Sequence, residues 1–109
     1  MKEILIFAGT TEGRELSEYL AVAGIAHTLC VATEYGEIVL KEHPLVKVHK
    51  GRMNQEEIEV YIKAGNFGAV VDATHPYAEV VTQNIKNAMQ DMDIPYLRLK
   101  RESNVTSSY

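Results

Sequence analysis

The chain has 109 residues, 46% of them hydrophobic and 24% charged, with a formal net charge of −4. These values describe a single soluble domain large enough to bury its own core, and they argue against nucleic-acid binding driven by overall charge. The one cysteine, Cys30, excludes an intramolecular disulfide, and no Cys/His spacing points to zinc, so no metal is expected.

The elements follow in chain order. "EILIFA" (Glu3–Ala8) is a continuous apolar run of the kind that forms a strand buried on both faces. From Glu12 to Ala23 the period changes to a helix, with Leu16, Tyr19, Leu20 and Ala23 on one face and Gly24 as its stop. "AHTLCVAT" (Ala26–Thr33) predicts a second strand, in which Cys30 is a small buried hydrophobe. A short helix is expected around Glu37–Glu42, ended by Pro44. "VKVHKG" (Val46–Gly51) predicts a third strand. Asn54 and Glu57 have the spacing of a capping box, opening a helix with Ile58, Tyr61 and Ile62 on its apolar face and Gly65 at its end.

"GAVVDAT" (Gly68–Thr74) predicts a fourth strand, with Pro76 at the first turn of a helix. Val81, Ile85, Ala88 and Met92 share that helix's stripe, and Met89 and Met92 are assigned to the core. "IPYLRL" (Ile94–Leu99) predicts a fifth strand. His27, His43 and His49 are scattered and are expected to be surface or packing residues. The N-terminal apolar run is too short for a signal peptide or membrane span, so a cytoplasmic protein without membrane association is expected.

This alternation predicts an α/β protein: a Rossmann-like, three-layer α/β/α domain with a five-stranded parallel sheet. Right-handed crossovers bring the C-terminal ends of all strands to one edge, where such sheets bind ligands. The domain is expected over residues 1–102, with 103–109 a linker-like tail rich in serine and threonine.

The edge argument selects the candidate residues. After the first strand come Gly9, Thr10, Thr11, Glu12, Gly13 and Arg14. A glycine there permits a tight turn and close ligand approach, and the following helix offers the positive end of its dipole to a phosphate. The loop departs from the G-x-G-x-x-G fingerprint by placing a threonine where the second glycine lies. A tight turn without a ligand has the same local signature. After the second strand, Thr33 suits a ribose 2′-phosphate and Glu34 a free 2′-hydroxyl, and the two favour different cofactors. Asp72, inside a strand, needs a partner if buried. "DATHPYA" brings Thr74 and His75, a proton-exchanging group. Arg52, Arg98, Lys100 and Arg101 place positive charge at or near the same edge, suited to carboxylates or phosphates.

Three segments together, "ILIFAGTTEGRELSEYL", "VDATHPYAEVVTQNI" and "PYLRLKRES", resemble the N-terminal half of the precorrin-6A reductase family, including its cobalt-precorrin form. The resemblance implies reduction of one double bond of a corrin-ring precursor in cobalamin biosynthesis, with NADPH as cofactor. It implies that Gly9, Thr10, Thr11, Glu12 and Arg14 form the cofactor loop, with Thr33 near the adenosine phosphate. Thr74, His75, Pro76 and Tyr77 would face a cleft between two domains, Thr74 on the cofactor side and His75 and Tyr77 toward the corrinoid tetrapyrrole substrate. Arg98 and Arg101 would lie near it. No catalytic residue is fixed by the motifs; His75 is the candidate. Family members are about twice this length, so the isolated chain is expected to lack a complete substrate site and turnover.

Two other classes of protein share parts of this pattern. A short-chain or sugar-nucleotide enzyme would need a Tyr-x-x-x-Lys pair, and only Tyr96/Lys100 has that spacing, across a predicted strand. A non-catalytic flavodoxin-like or receiver-type module is disfavoured. A receiver needs acidic residues after the first strand, where Gly9-Thr10-Thr11 stands instead.

Overall fold

A computed structural model describes residues 2–9, 11–31, 43–74 and 79–99. Its five strands are β1 (Glu3–Ala8), β2 (His27–Val31), β3 (Val46–Lys50), β4 (Phe67–Ala73) and β5 (Tyr96–Arg98). They form one sheet in the order β3-β2-β1-β4-β5, and every pairing is parallel. Three helices are described: α1 (Thr11–Val22), α2 (Gln55–Ala64) and α3 (Glu79–Ala88).

The side-chain period of a strand divides the core into two layers. On one face Ile6, Leu29, Val31 and Val71 pack with Leu16 and Leu20 of α1. On the other, Leu5, Phe7, Cys30 and Val70 pack with Ile58 and Ile62 of α2 and Ile85 of α3. The expected three-layer α/β/α arrangement is therefore present. None of the described helices is long and apolar enough to cross a membrane.

The helix ends follow their sequence signals. Gly24 has φ +81°, and the Ile25 N–H reaches the Leu20 carbonyl at 2.8 Å while the Gly24 N–H reaches that of Ala21 at 3.1 Å. This is a Schellman ending, which relieves the last carbonyls of α1 and favours glycine. At α2, Asn54 Oδ1 accepts from the Glu57 N–H and Glu57 Oε1 from the Asn54 N–H, both at 2.8 Å, so the capping box is complete.

Two details differ from the sequence reading. The buried stripe of α1 is Gly13, Ser17 and Leu20, while Tyr19 is 69% exposed and Ala23 is also exposed. Small residues occupy that stripe because α1 lies close against the central strands. Met89 and Met92 do pack in the core, yet α3 ends at Ala88 and the chain turns before Met92. The helix expected at Glu37–Glu42 lies outside the described residues.

Candidate functional site

The register brings the tips of β1 and β4 level, because Ala8 pairs with Ala73. Gly9 and Thr74 follow those two residues and so stand side by side at the C-terminal edge. The strand order reverses between β1 and β4, which is where open α/β sheets form their ligand crevice. Both residues line a cavity of about 470 Å³. Its walls are Phe7, Cys30, Met53, Ile58 and Val81, with Arg52, Glu79 and Asn84 as polar groups. Burial pushes the Cys30 thiol up to about 12, so it is a neutral wall and not a nucleophile at ordinary pH.

The approach to this crevice from α1 is set by Gly13. A Cβ built there would lie 3.0 Å from the Ala73 Cβ and 3.4 Å from the Ala8 Cα. A side chain there would press on both central strands, so glycine lets the first turn of α1 settle closest to them. Gly13 thus does the job of the third glycine in the dinucleotide fingerprint, close helix–strand packing, although the second is replaced. Thr11 begins the helix and is exposed, while Glu12 and Arg14 are half-buried in the same turn. Further along, Ser17 Oγ and His27 Nε2 are 2.7 Å apart, both residues buried, and His27 Nδ1 donates to the Ile25 carbonyl at 3.0 Å. That pair pins α1 to β2. His27 is a packing residue, as expected.

The β4–β5 side is organised differently. Asp72 is fully buried. Its Oδ1 accepts from the Thr74 hydroxyl at 2.7 Å and the Thr74 N–H at 3.1 Å. Its Oδ2 accepts from Tyr96 at 2.7 Å and from Thr82, on α3, at 2.8 Å. Burial alone would raise the carboxyl's pKa. The hydrogen bonds from Thr74, Tyr96 and Thr82 outweigh it and hold the group below its ordinary range. Burial, and then the bond to Asp72, keep the Tyr96 phenol well above its ordinary value. Arg98 Nη1 donates to the Asp72 carbonyl at 2.9 Å and the Thr74 carbonyl at 3.0 Å, and lies 3.4 Å from Asp72 Oδ1.

Of the residues singled out in sequence, the structure gathers Gly9, Thr11, Glu12, Arg14, Thr74 and Arg98 at one edge. Arg98 braces the end of β4 through its Nη1. Thr10, Thr33, Glu34, His75, Pro76, Tyr77, Lys100 and Arg101 lie outside the described residues. Asp72 needs a partner, and two of its partners, Thr82 and Tyr96, are not evident from the sequence. Tyr96 and Arg98 stand two apart on one strand, and that shared face was the available signal.

The reversed strand order, the closely packed first helix and the cavity at the switch point define a Rossmann-type α/β unit. Its sequence matches the family described as precorrin-6x reductase CbiJ/CobK over residues 3–108. The chain belongs to that family of oxidoreductases. It is 37% identical over 100 residues to the cobalt-precorrin-6A reductase of Priestia megaterium, covering 92% of this chain and 39% of that protein. It is 29% identical to the cobalt-precorrin-6A reductase of Synechocystis sp., covering 90% of this chain and 38% of the relative. The chain therefore spans about two fifths of the length of these curated relatives. Among solved structures, a CobK precorrin-6A reductase superposes with a TM-score of 0.80 at 22% identity, covering 99% of this chain and 41% of that one.

Proposed function

We propose that this chain is the cofactor-binding half of an NADPH-dependent reductase that acts on a corrin-ring precursor, precorrin-6A or its cobalt form. The observation that carries the reading is the level pair Gly9 and Thr74, which line a 470 Å³ cavity at the C-terminal edge of the sheet, the edge at which α1 also begins. A dinucleotide fits these residues. Gly9 has no side chain to obstruct a pyrophosphate, and the positive end of the α1 dipole faces the same edge. Gly13 permits the close packing that aims that dipole, and the apolar walls suit a purine. When bound, the nicotinamide supplies the hydride. The protein's share is to bind and orient: Thr11 and Arg14 contact the phosphates, and Thr74, fixed by Asp72, borders the ring-binding end. His75 and Tyr77, with Arg101, are assigned to the tetrapyrrole. The rest of the substrate site would come from a second domain, with 103–109 as the connection from the domain at 1–102.

Titration of the chain with NADPH and NADH, with Thr11→Ala and Arg14→Ala in parallel, tests this. NADPH is expected to bind, and each substitution to weaken it by roughly tenfold, the effect of losing one charge-assisted hydrogen bond. Absence of binding to either nucleotide would count against the cofactor assignment. Reduction of the corrinoid by these 109 residues alone would overturn their reading as a half-site.

A further inference from the structure

The cavity has a polarity that the first loop does not explain. It runs past the tips of three neighbouring strands: Gly9 after β1, Val31 at the end of β2, and Gly51 and Arg52 after β3. Two strand spacings separate the first from the last, about 10 Å. One nucleoside bridges that span. Its α3 end carries the carboxylate of Glu79 and its β3 end the guanidinium of Arg52, so of these two ends the β3 end is the one that favours an anion.

Arg52 is held ready for such a group. Gly51 has φ +107°, and its N–H bonds to the Val31 carbonyl at 2.9 Å, tying the β3 tip to β2. Three residues later the Asn54–Glu57 capping box fixes the start of α2. The short connection bearing Arg52 is therefore anchored at both ends. The ion pairs among the described residues join Lys47 to Glu3, Lys63 to Glu59 and Arg98 to Asp72, and none takes Arg52. The nearby Glu57 turns its Oε1 to the Asn54 N–H.

We propose that Arg52 selects the phosphorylated nucleotide by taking the phosphate on the ribose 2′-oxygen. This rests on the nucleotide reading above and deepens it. The planar fork of a guanidinium matches a phosphate in two-point contact, which a threonine hydroxyl cannot do. Arg52 thus acts as the specificity residue, at the third strand and not only at the second.

The test uses two small probes, 2′,5′-ADP and 5′-AMP, titrated against the chain and its Arg52→Ala and Arg52→Lys variants. The unchanged chain is expected to prefer 2′,5′-ADP. Arg52→Ala should weaken 2′,5′-ADP by about tenfold and 5′-AMP by less than twofold, and Arg52→Lys should recover part of the loss. Arg52 is exposed, so the thermal melt should not move. An unaltered preference in Arg52→Ala, or equal weakening of both probes, would overturn the proposal. Equal affinity of the unchanged chain for the two probes would overturn it as well, with the nucleotide reading intact. Failure of the unchanged chain to bind either probe would remove that reading and this one together.

Discussion

The tips of β1 and β4 adjoin, yet they are built by opposite means. The β1 tip is shaped by what is missing: Gly9 has no side chain, and Gly13 leaves just enough room for α1 against Ala8 and Ala73. The β4 tip is shaped by side chains. One buried carboxylate gathers Thr74, Thr82, Tyr96 and Arg98 from three elements. The first arrangement keeps backbone open to a ligand. The second makes a rigid wall whose polar groups serve mostly one another. Damage to the first should therefore fall mainly on binding, and damage to the second mainly on stability.

The largest expected effect is at Asp72. Replacing it with alanine leaves buried donors on Thr74, Thr82 and Tyr96 without their acceptor, and should cost about 3–5 kcal/mol in chemical denaturation. The same residue predicts an acid response. Its carboxyl pKa is lowered in the folded chain, so its contribution is fully present above the ordinary carboxylate range, about 3.9, and is lost as pH falls through the lower folded value. Asp72→Asn should flatten the acid limb of a stability–pH curve. An unchanged limb would show that the carboxylate is not the group responsible.

Next in size is Gly13→Ala. Alanine gains about 1 kcal/mol of helix propensity, while overpacking costs about 1–3 kcal/mol. The added Cβ meets Ala73 and Ala8 on the two central strands, and neither is a flexible side-chain end that can swing aside. A net loss of up to about 2 kcal/mol follows, together with weaker nucleotide binding as the first turn of α1 is pushed outward. A variant more stable than the parent would break the contrast between the two tips. The smallest effect is Tyr96→Phe, which removes one donor to Asp72 and should cost about 1 kcal/mol, with little change in nucleotide affinity. A large affinity loss there would mean that the bonds within the β4 wall, and not Thr74 alone, decide binding.

Much of this was legible because the signals are local. The change of period after Ala8, the Gly24 stop and the Asn54–Glu57 box each depend on residues within a few positions, and all have their structural counterparts. The buried stripe of α1 was misread because apolar periodicity favours Tyr19. The helix instead buries glycine and serine, for close approach and for the bond to His27. The Asp72 network was hidden because Tyr96 and Arg98 are more than twenty positions away. Only the parallel register, Asp72 opposite Arg98, brings them together.

The outer strands of this sheet also bear on how the domain behaves in a crowded solution. β3 shows Lys47 and Lys50 to solvent, and β5 is three residues long with Pro95 just before it. Charge, brevity and a residue with no N–H to donate are three ways of denying a foreign strand a place to dock. The sheet can thus keep an open ligand edge at its strand tips while its two flanks resist runaway pairing between molecules.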